Sequence, residues 1–292
     1  MKRTTTVLAM AVVAMVAFVL AVSPANAAVI YDGFNYGGAI NGNNGGTGFT
    51  GPWANTRNAP TAVAPGLTWG SLSVDGNTAR GAAWSGMMRP IGSTLDTAGL
   101  MANGATLWFS VIMDLEGQNT SNADINVALA SDKFESGAFG DRENLASGEG
   151  IGVTHSGGTI QGVYWQNNDA DTIAERNENS TSTVIGSGLE TIPKPILALI
   201  VGKIEWGDDN ASETLTLYAP DTSLAQGAPT MAAWTIPALN QSDFDRVAVQ
   251  FKDNSMIDEI RFGATYGDVA VPEPATLALI AMGGLALLRR KK

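Results

Sequence analysis

The run Pro195-Ile-Leu-Ala-Leu-Ile-Val-Gly-Lys-Ile-Glu-Trp206, the turn Gly207-Asp-Asp-Asn-Ala-Ser212 and the answering Glu213-Thr-Leu-Thr-Leu-Tyr-Ala219 decide the fold. Up to Val201 the first run is almost unbroken in apolar residues, the mark of a strand covered on both faces at the centre of a sheet. Beyond the turn the pattern changes to alternation, with Leu215 and Leu217 facing in and Thr214, Thr216 and Tyr218 facing out. This is the clearest hairpin in the chain. A sheet covered on both faces needs further layers, which the flanking sequence must supply.

Similar strands lie on either side. From Ala105 to Leu115, Leu107, Phe109, Val111, Met113 and Leu115 line one face, while Trp108, Ser110, Ile112 and Asp114 form a mixed face that calls for partial cover by a loop. Ile125, Val127 and Leu129 alternate inward, as do Val247, Val249 and Phe251 between Phe244 and Lys252. Gly150–Thr154 and Thr159–Trp165 form a hairpin across Ser156-Gly-Gly158. Shorter strands are expected at Val29–Phe34, Leu67–Val74 and Arg80–Met88. The stretch from Tyr36 to Trp53 reads as an ordered loop, its glycines supplying positive φ and its Phe49 and Trp53 pinning it down.

In the last strand, Met256 to Ala264, Ile257 lies three residues from Ile260, and a bulge at Asp258-Glu259 resets the phase. Ser131–Glu149 and Asn167–Asn179 read as loops, and Pro220–Asn240 as a proline-bearing connection. Thirty-four glycines with 15% charged residues, and no long helical periodicity, place residues 28–270 in one all-β domain without internal repeats.

The two ends are of another kind. Lys2-Arg3, the apolar run Val7–Val22 and Ala25-Asn26-Ala27 are the three regions of a secretory signal peptide, residues 1–27, with cleavage expected after Ala27. At the other end Val271-Pro-Glu-Pro274 leads into the apolar stretch Ala275–Leu288 and the basic cluster Arg289-Arg-Lys-Lys292. A helix of that length covers about 21 Å, short of the roughly 30 Å hydrocarbon core, so it inserts as a marginal anchor with its basic cluster inside. Removing both ends turns 17 basic and 28 acidic residues into 11 and 27, a net charge near −16. Such a domain repels nucleic acid and anionic membranes. It has no cysteine, and its 243 residues bury a core without disulfides.

The tail, with Pro272, Glu273 and Pro274, a short hydrophobic helix at 275–288 and then Arg289 and Arg290, resembles the PEP-CTERM sorting signal of Gram-negative bacteria. That resemblance covers residues 271–292 and implies transient membrane insertion, then cleavage by the membrane protease exosortase in species that make extracellular polysaccharide. The body resembles the concanavalin A-like (laminin-G-like) jelly-roll domain. The resemblance is carried by Tyr31-Asp-Gly-Phe34 with Asn44-Gly-Gly-Thr-Gly-Phe-Thr-Gly-Pro-Trp53, by Leu199–Trp206 with Thr214–Tyr218, and by Ile257-Asp-Glu-Ile-Arg-Phe-Gly263. It implies an all-β, two-sheet antiparallel jelly-roll sandwich, flanked by an N-terminal signal helix and a C-terminal hydrophobic helix.

Candidate chemistry is sparse. One histidine, His155, and no cysteine leave no ligand set for a transition metal, and His155 reads as a surface turn residue with no activated serine beside it. Laminarinase-type glucanases, which share the implied fold, set their acids as Glu-x-Asp-x-(x-)Glu on one strand, and no such triplet is present. Asp258, Glu259 and Arg261 read as an ion-pair group at the edge of the last strand.

Sugar binding would use an exposed ring beside amides, and Tyr164-Trp165-Gln-Asn-Asn-Asp169 has that composition, although alternation sends one of its two rings into the core. Trp53, Trp69 and Trp84 read as core or loop-packing residues. Asn167, Asp169 and Asp171, or Asp208, Asp209 and Asn210, offer hard oxygens to calcium, yet neither run matches a full Asp-x-Asp-x-Asp-Gly loop. No other cofactor is expected. The sequence is thus that of an exported, non-enzymatic cell-surface or extracellular-matrix protein with exopolysaccharide as its candidate ligand. A polysaccharide-degrading glycosidase or lyase is the alternative.

Overall fold

Alternation along the chain is realised as two antiparallel sheets packed face to face. The computed structural model describes residues 28–72, 74–82, 84–115, 124–131, 149–156, 159–166, 181–185, 197–208, 211–229, 231–236 and 239–270. The signal peptide and the sorting tail with its 275–288 helix lie outside them. Among the described residues no helix is long and apolar enough to cross a membrane.

In chain order the strands are β1 (Ile30–Asp32), β2 (Gly38–Ala39), β3 (Ala54–Asn55), β4 (Thr61–Val63), β5 (Thr78–Arg80), β6 (Ser85–Pro90), β7 (Thr106–Asp114) and β8 (Asp124–Ala130). There follow β9 (Gly150–Ser156), β10 (Thr159–Gln166), β11 (Thr181–Ile185), β12 (Leu197–Glu205), β13 (Glu213–Tyr218), β14 (Met231–Ile236), β15 (Arg246–Phe251) and β16 (Met256–Gly263). Among the described residues they are joined by two single-turn α-helices, α1 (Thr94–Thr97) and α2 (Tyr266–Val269), and a 3-10 turn at Gln241–Asp243. The first sheet runs β14-β13-β12-β7-β16-β5-β4-β2, with β1 also on β16, and the second runs β11-β10-β9-β8-β15-β6-β3.

The opening hairpin is β12–β13, and β12 is flanked by β7 and covered on both faces, as its apolar run requires. Ile200 and Ile204 join the core between the sheets, whereas Leu199 and Val201 sit under a second layer on the outer face. That layer consists of Leu72, Leu224 and Val269 with the partly buried Leu67, Trp69, Val74 and Tyr266. It covers Trp108 and Ile112 of β7 as well, and Ser110 Oγ donates to the Val269 carbonyl at 2.7 Å. Gly202 is required where β12 meets β7, because a Cβ there would lie 2.1 Å from the Phe109 ring.

Leu67–Val74 therefore departs from the expected strand. Its apolar residues form this cover, and Trp69 Nε1 donates to the Pro220 carbonyl at 3.2 Å instead of the segment joining a ladder. Five described strands are not foreshadowed by the sequence, the short β2, β3 and β4 and two longer ones. β14 lies within the expected Pro220–Asn240 connection, and β11 pairs with β10 beyond the polar loop. The bulge in β16 is where the phase break puts it: pairing with β7 shifts between Asp258 and Arg261, and Glu259 has φ +57°.

The Tyr36–Trp53 loop is fixed by an ion pair that the sequence reading did not anticipate. Asp32 on β1 and Arg89 on β6 have side chains 1% exposed and are bonded to each other, linking the first sheet to the second. Asp32 also accepts from Trp53 Nε1 (2.8 Å), the Phe34 amide (2.9 Å) and the Tyr36 hydroxyl. Arg89 donates to the Gly51 carbonyl (2.9 Å), Asn44 Oδ1 (2.9 Å) and the Gly45 carbonyl (2.7 Å), and its guanidinium stacks 3.9 Å from the Phe49 ring centroid. Breaking one side of a buried pair strands the other charge. Asp32→Ala is accordingly expected to lower the unfolding free energy by about 3–5 kcal/mol. Asp32→Ala with Arg89→Met, which removes both charges, should lose less; urea titration followed by tryptophan fluorescence measures both variants.

Candidate functional site

The outer face of the second sheet is where the sequence places its candidate sugar-binding aromatics. Alternation directs Ile125, Val127, Leu129, Ile151, Val153 and Tyr164 into the core between the sheets. The intervening residues, Asn126, Ala128, Ala130, Gly152, Thr154, Val163, Trp165, Ala248 and Gln250, share the opposite face by register. It is a floor of small side chains, with Asn126 Nδ2 donating to Gln250 Oε1 at 2.8 Å near one end and Trp165 at the other. Both predicted rings are inside: Tyr164 is 8% exposed within the core and Trp165 is 0% exposed among Ala128, Ala130, Val163 and Ala248. Neither presents the open ring face that sugar stacking needs. The expectation of one exposed ring is corrected, because alternation puts them on opposite faces and both faces are covered. The calcium candidates Asn167, Asp169 and Asp171 lie outside the described residues, as do Asp209 and Asn210. Among the described residues, no group of three or more His, Cys, Asp or Glu is arranged to hold a metal ion.

His155 is not on a surface turn. It lies within β9, fully buried, opposite Ile125 and Ile160. Strand alternation from Ile151 and Val153 carries it into the core.

The acids Asp258 and Glu259 also sit in the interior, because β16 is not at an edge but has β7 on one side and both β1 and β5 on the other. The left-handed residue at the bulge aims both carboxylates at the covering loop. Asp258 accepts from the Leu67 amide (2.8 Å) and from the Glu259 amide (2.8 Å). Glu259 accepts from the Asp75 amide (2.8 Å) and the Tyr31 hydroxyl (3.2 Å), and pairs with Arg261 at 2.5 Å. Burial, with the neighbouring Glu259 charge adding, pushes Asp258 up to about 9, and burial likewise raises Glu259 against the pull of Arg261. These oxygens are capped by backbone N–H groups and closed to solvent, which makes them fasteners of the loop rather than groups facing a substrate.

A further buried acid, Glu213, starts β13 and accepts from the Leu239 amide with both oxygens, at 3.3 and 3.2 Å. Glu149 takes the next amide, Asn240, at 2.5 Å. Burial first, then the Glu149 charge, pushes Glu213 up to about 7. Among the described residues facing outward from β8, β9, β10 and β15, the one carboxylate is Asp124, whose oxygen lies 3.7 Å from Lys252 Nζ.

Comparison with known proteins bears chiefly on the tail. Residues 270–292 match the PEP-CTERM protein-sorting motif, which implies export across the inner membrane and sorting by exosortase, a membrane protein. No curated protein matches. Among solved structures, the chain is similar to the carbohydrate esterase vb_24B_21 of the Shiga toxin-encoding bacteriophage phi24B. There the identity is 11%, 80% of this chain and 97% of that one are covered, and the TM-score is 0.41. For the alginate lyase vAL-1 from Chlorella virus the identity is 7%, the coverage 72% and 90%, and the TM-score 0.41. A structure of botulinum neurotoxin type C, described with two ganglioside molecules, shows 8% identity over 86% of this chain and 51% of that one, at a TM-score of 0.37. At these scores the likenesses carry nothing about activity.

Glu213 and Asp258 hold their protons more tightly folded than unfolded. Their contribution to stability is full below the ordinary values of 4.5 and 3.8 and is lost as pH rises through about 7 and about 9. Glu213→Gln stays neutral and keeps an acceptor for the Leu239 amide. Its melting temperature is expected to gain on that of the parent protein between about pH 5 and about pH 8; parallel melting curves would show that Glu213 titrates normally.

Proposed function

We propose that this chain is an exported cell-surface or extracellular-matrix protein, delivered by exosortase-type sorting, whose concanavalin A-like sandwich binds exopolysaccharide without degrading it. The observation that carries the reading is the sorting motif at residues 270–292, attached to a single β-sandwich. The disposition of the acids supports the non-enzymatic part: Asp32, Asp258 and Glu259 are all fully buried and engaged in ion pairs or amide caps. A glycosidase needs two carboxylates flanking the bond it breaks, about 5–10 Å apart in an open groove. Calcium stays in the proposal as a ligand of the Asn167–Asp171 segment, and the signal peptide as cleaved between Ala27 and Ala28.

Mass spectrometry of the protein recovered from its host is expected to find a C-terminus between Val271 and Pro274. An intact Lys292 in the membrane fraction would instead make the tail a permanent anchor. For the ligand, the full chain in mild detergent should be retained by one or more immobilised polysaccharides, with or without added calcium, while releasing no shortened or unsaturated product. Release of such products establishes the degradative alternative, and failure to bind any polysaccharide removes the ligand altogether.

A further inference from the structure

The tryptophans divide by what their rings have to do. Trp53, Trp69 and Trp206 each give the indole N–H to a partner, namely Asp32 at 2.8 Å, the Pro220 carbonyl at 3.2 Å and the Leu100 carbonyl at 2.7 Å. Trp108 and Trp165 are buried, and Trp84 holds the Lys252 ammonium 4.6 Å from its ring centroid. Trp234 on β14 has no such employment. It is 46% exposed, the one large hydrophobic side chain that is exposed among the described residues, and it belongs to none of the three apolar clusters. Its register partner on β13, Leu215, is fully buried, so strand pairing alone does not place the ring in water. Two features turn it out. β14 is the outermost strand of its sheet, and a bulge adjoins the ring: from Leu215 to Leu217 β13 advances two residues while β14 advances three, from Trp234 to Met231. An extra residue of this kind re-aims the side chain next to it.

From this geometry we infer that Trp234 and the open edge of β14 form a binding subsite for a neutral pyranose unit of an extracellular polysaccharide. The inference rests on the exopolysaccharide reading above and gives it a place and a substrate class. A pyranose with equatorial hydroxyls presents C–H groups on its faces, and the indole offers an apolar plate to one face and an N–H donor at its margin. Among the described residues β14 pairs on one side only, with β13, so its other side turns backbone N–H and C=O groups outward. These supply donors and acceptors for sugar hydroxyls beside the ring. Edge strands are commonly closed by lysine or proline, and Met231–Ile236 contains neither. Ala233 and Thr235, on either side of Trp234, are exposed and leave the approach open. Charge selects the class of sugar. From Thr222 to Asn240, nineteen consecutive residues carry no charged side chain, in a body of net charge near −16. The run offers no cation to a carboxylated sugar, and the field around it repels one, whereas a neutral polymer meets no such barrier. The same field opposes the competing occupant, a second copy of this chain pairing edge to edge through β14.

The test is affinity electrophoresis of the full chain in mild detergent, with mixed-linkage β-glucan as the neutral probe and polygalacturonate as the acidic one. The expected result is stronger retardation by the β-glucan, unchanged by added salt, weakened about tenfold by Trp234→Ala and partly kept by Trp234→Phe. Trp234→Ala should melt at the temperature of the parent protein, since the ring belongs to no buried cluster. Three results overturn this site and leave polysaccharide binding standing. One is retardation by polygalacturonate or another polysaccharide that equals or exceeds that by β-glucan, and another is β-glucan binding that survives Trp234→Ala. The third is a dimer, seen by sedimentation velocity without polysaccharide and dissociated by Trp234→Ala, because a second copy then closes the edge. Absence of binding to every polysaccharide tried overturns both the site and the reading on which it rests.

Discussion

The rest of the domain depends on one buried guanidinium. Arg89 reaches from the second sheet to Asp32 on the first, and both side chains are almost wholly removed from water. Guanidinium carries five N–H donors in a rigid fork, and a buried one is tolerable only where its donors find acceptors. Here the acceptors beyond Asp32 are Asn44, Gly45 and Gly51, all on the glycine-rich loop. The loop must therefore be in place for the ion pair to exist, and the ion pair must exist for the two sheets to be joined at that end. Trp53 and Phe49 fill the same space from the apolar side, with the Trp53 ring stacked 5.7 Å from Phe34. Loop order, sheet closure and charge neutralisation are one event.

The bulge in β16 serves the outer face in a comparable way. A regular strand would send Asp258 and Glu259 to opposite sides of the sheet. The residue at φ +57° breaks that alternation, and the two carboxylates then take amides from Leu67 and Asp75, at the two ends of the covering segment. The cover hides Trp108, Leu199 and Val201, so the acids act indirectly to keep the apolar outer face of the first sheet dry. Each carboxylate is occupied by a backbone donor that itself has to be satisfied, which leaves little capacity for proton transfer to an outside group.

Local pattern reveals the long strands that face the core and misses those of two or three residues and those defined by what they pair with. β7, β8, β12, β13 and β15 each carry alternation or an apolar run that follows from facing the core, and these positions read correctly. β11 and β14 are the outermost strands of their sheets, with one partner each, and nothing in Thr181–Ile185 or Met231–Ile236 obliges that pairing locally. Leu67–Val74 has strand-like composition, yet its apolar residues are used as cover, a choice made by the sheet beneath it. His155 differs from expectation for a related reason: the glycines that follow it suggest a turn, whereas the alternation running through Ile151 and Val153 sends it inward. Arg89, in Met-Met-Arg-Pro, carries no local sign that its partner lies 57 residues away. The bulge was legible because a phase break is itself a local signal.

Charge then separates delivery from attachment. Residues 28–270 carry a net charge near −16, so at long range they are repelled by polyanionic matrix and membrane alike. The sorting motif at residues 270–292 implies sorting by exosortase, a membrane protein. Screening decides what the domain meets at close range. Repulsion between exposed charges fades beyond about 8 Å at physiological ionic strength. Contact-range groups therefore govern what an acidic surface holds, while its long-range field governs what approaches it.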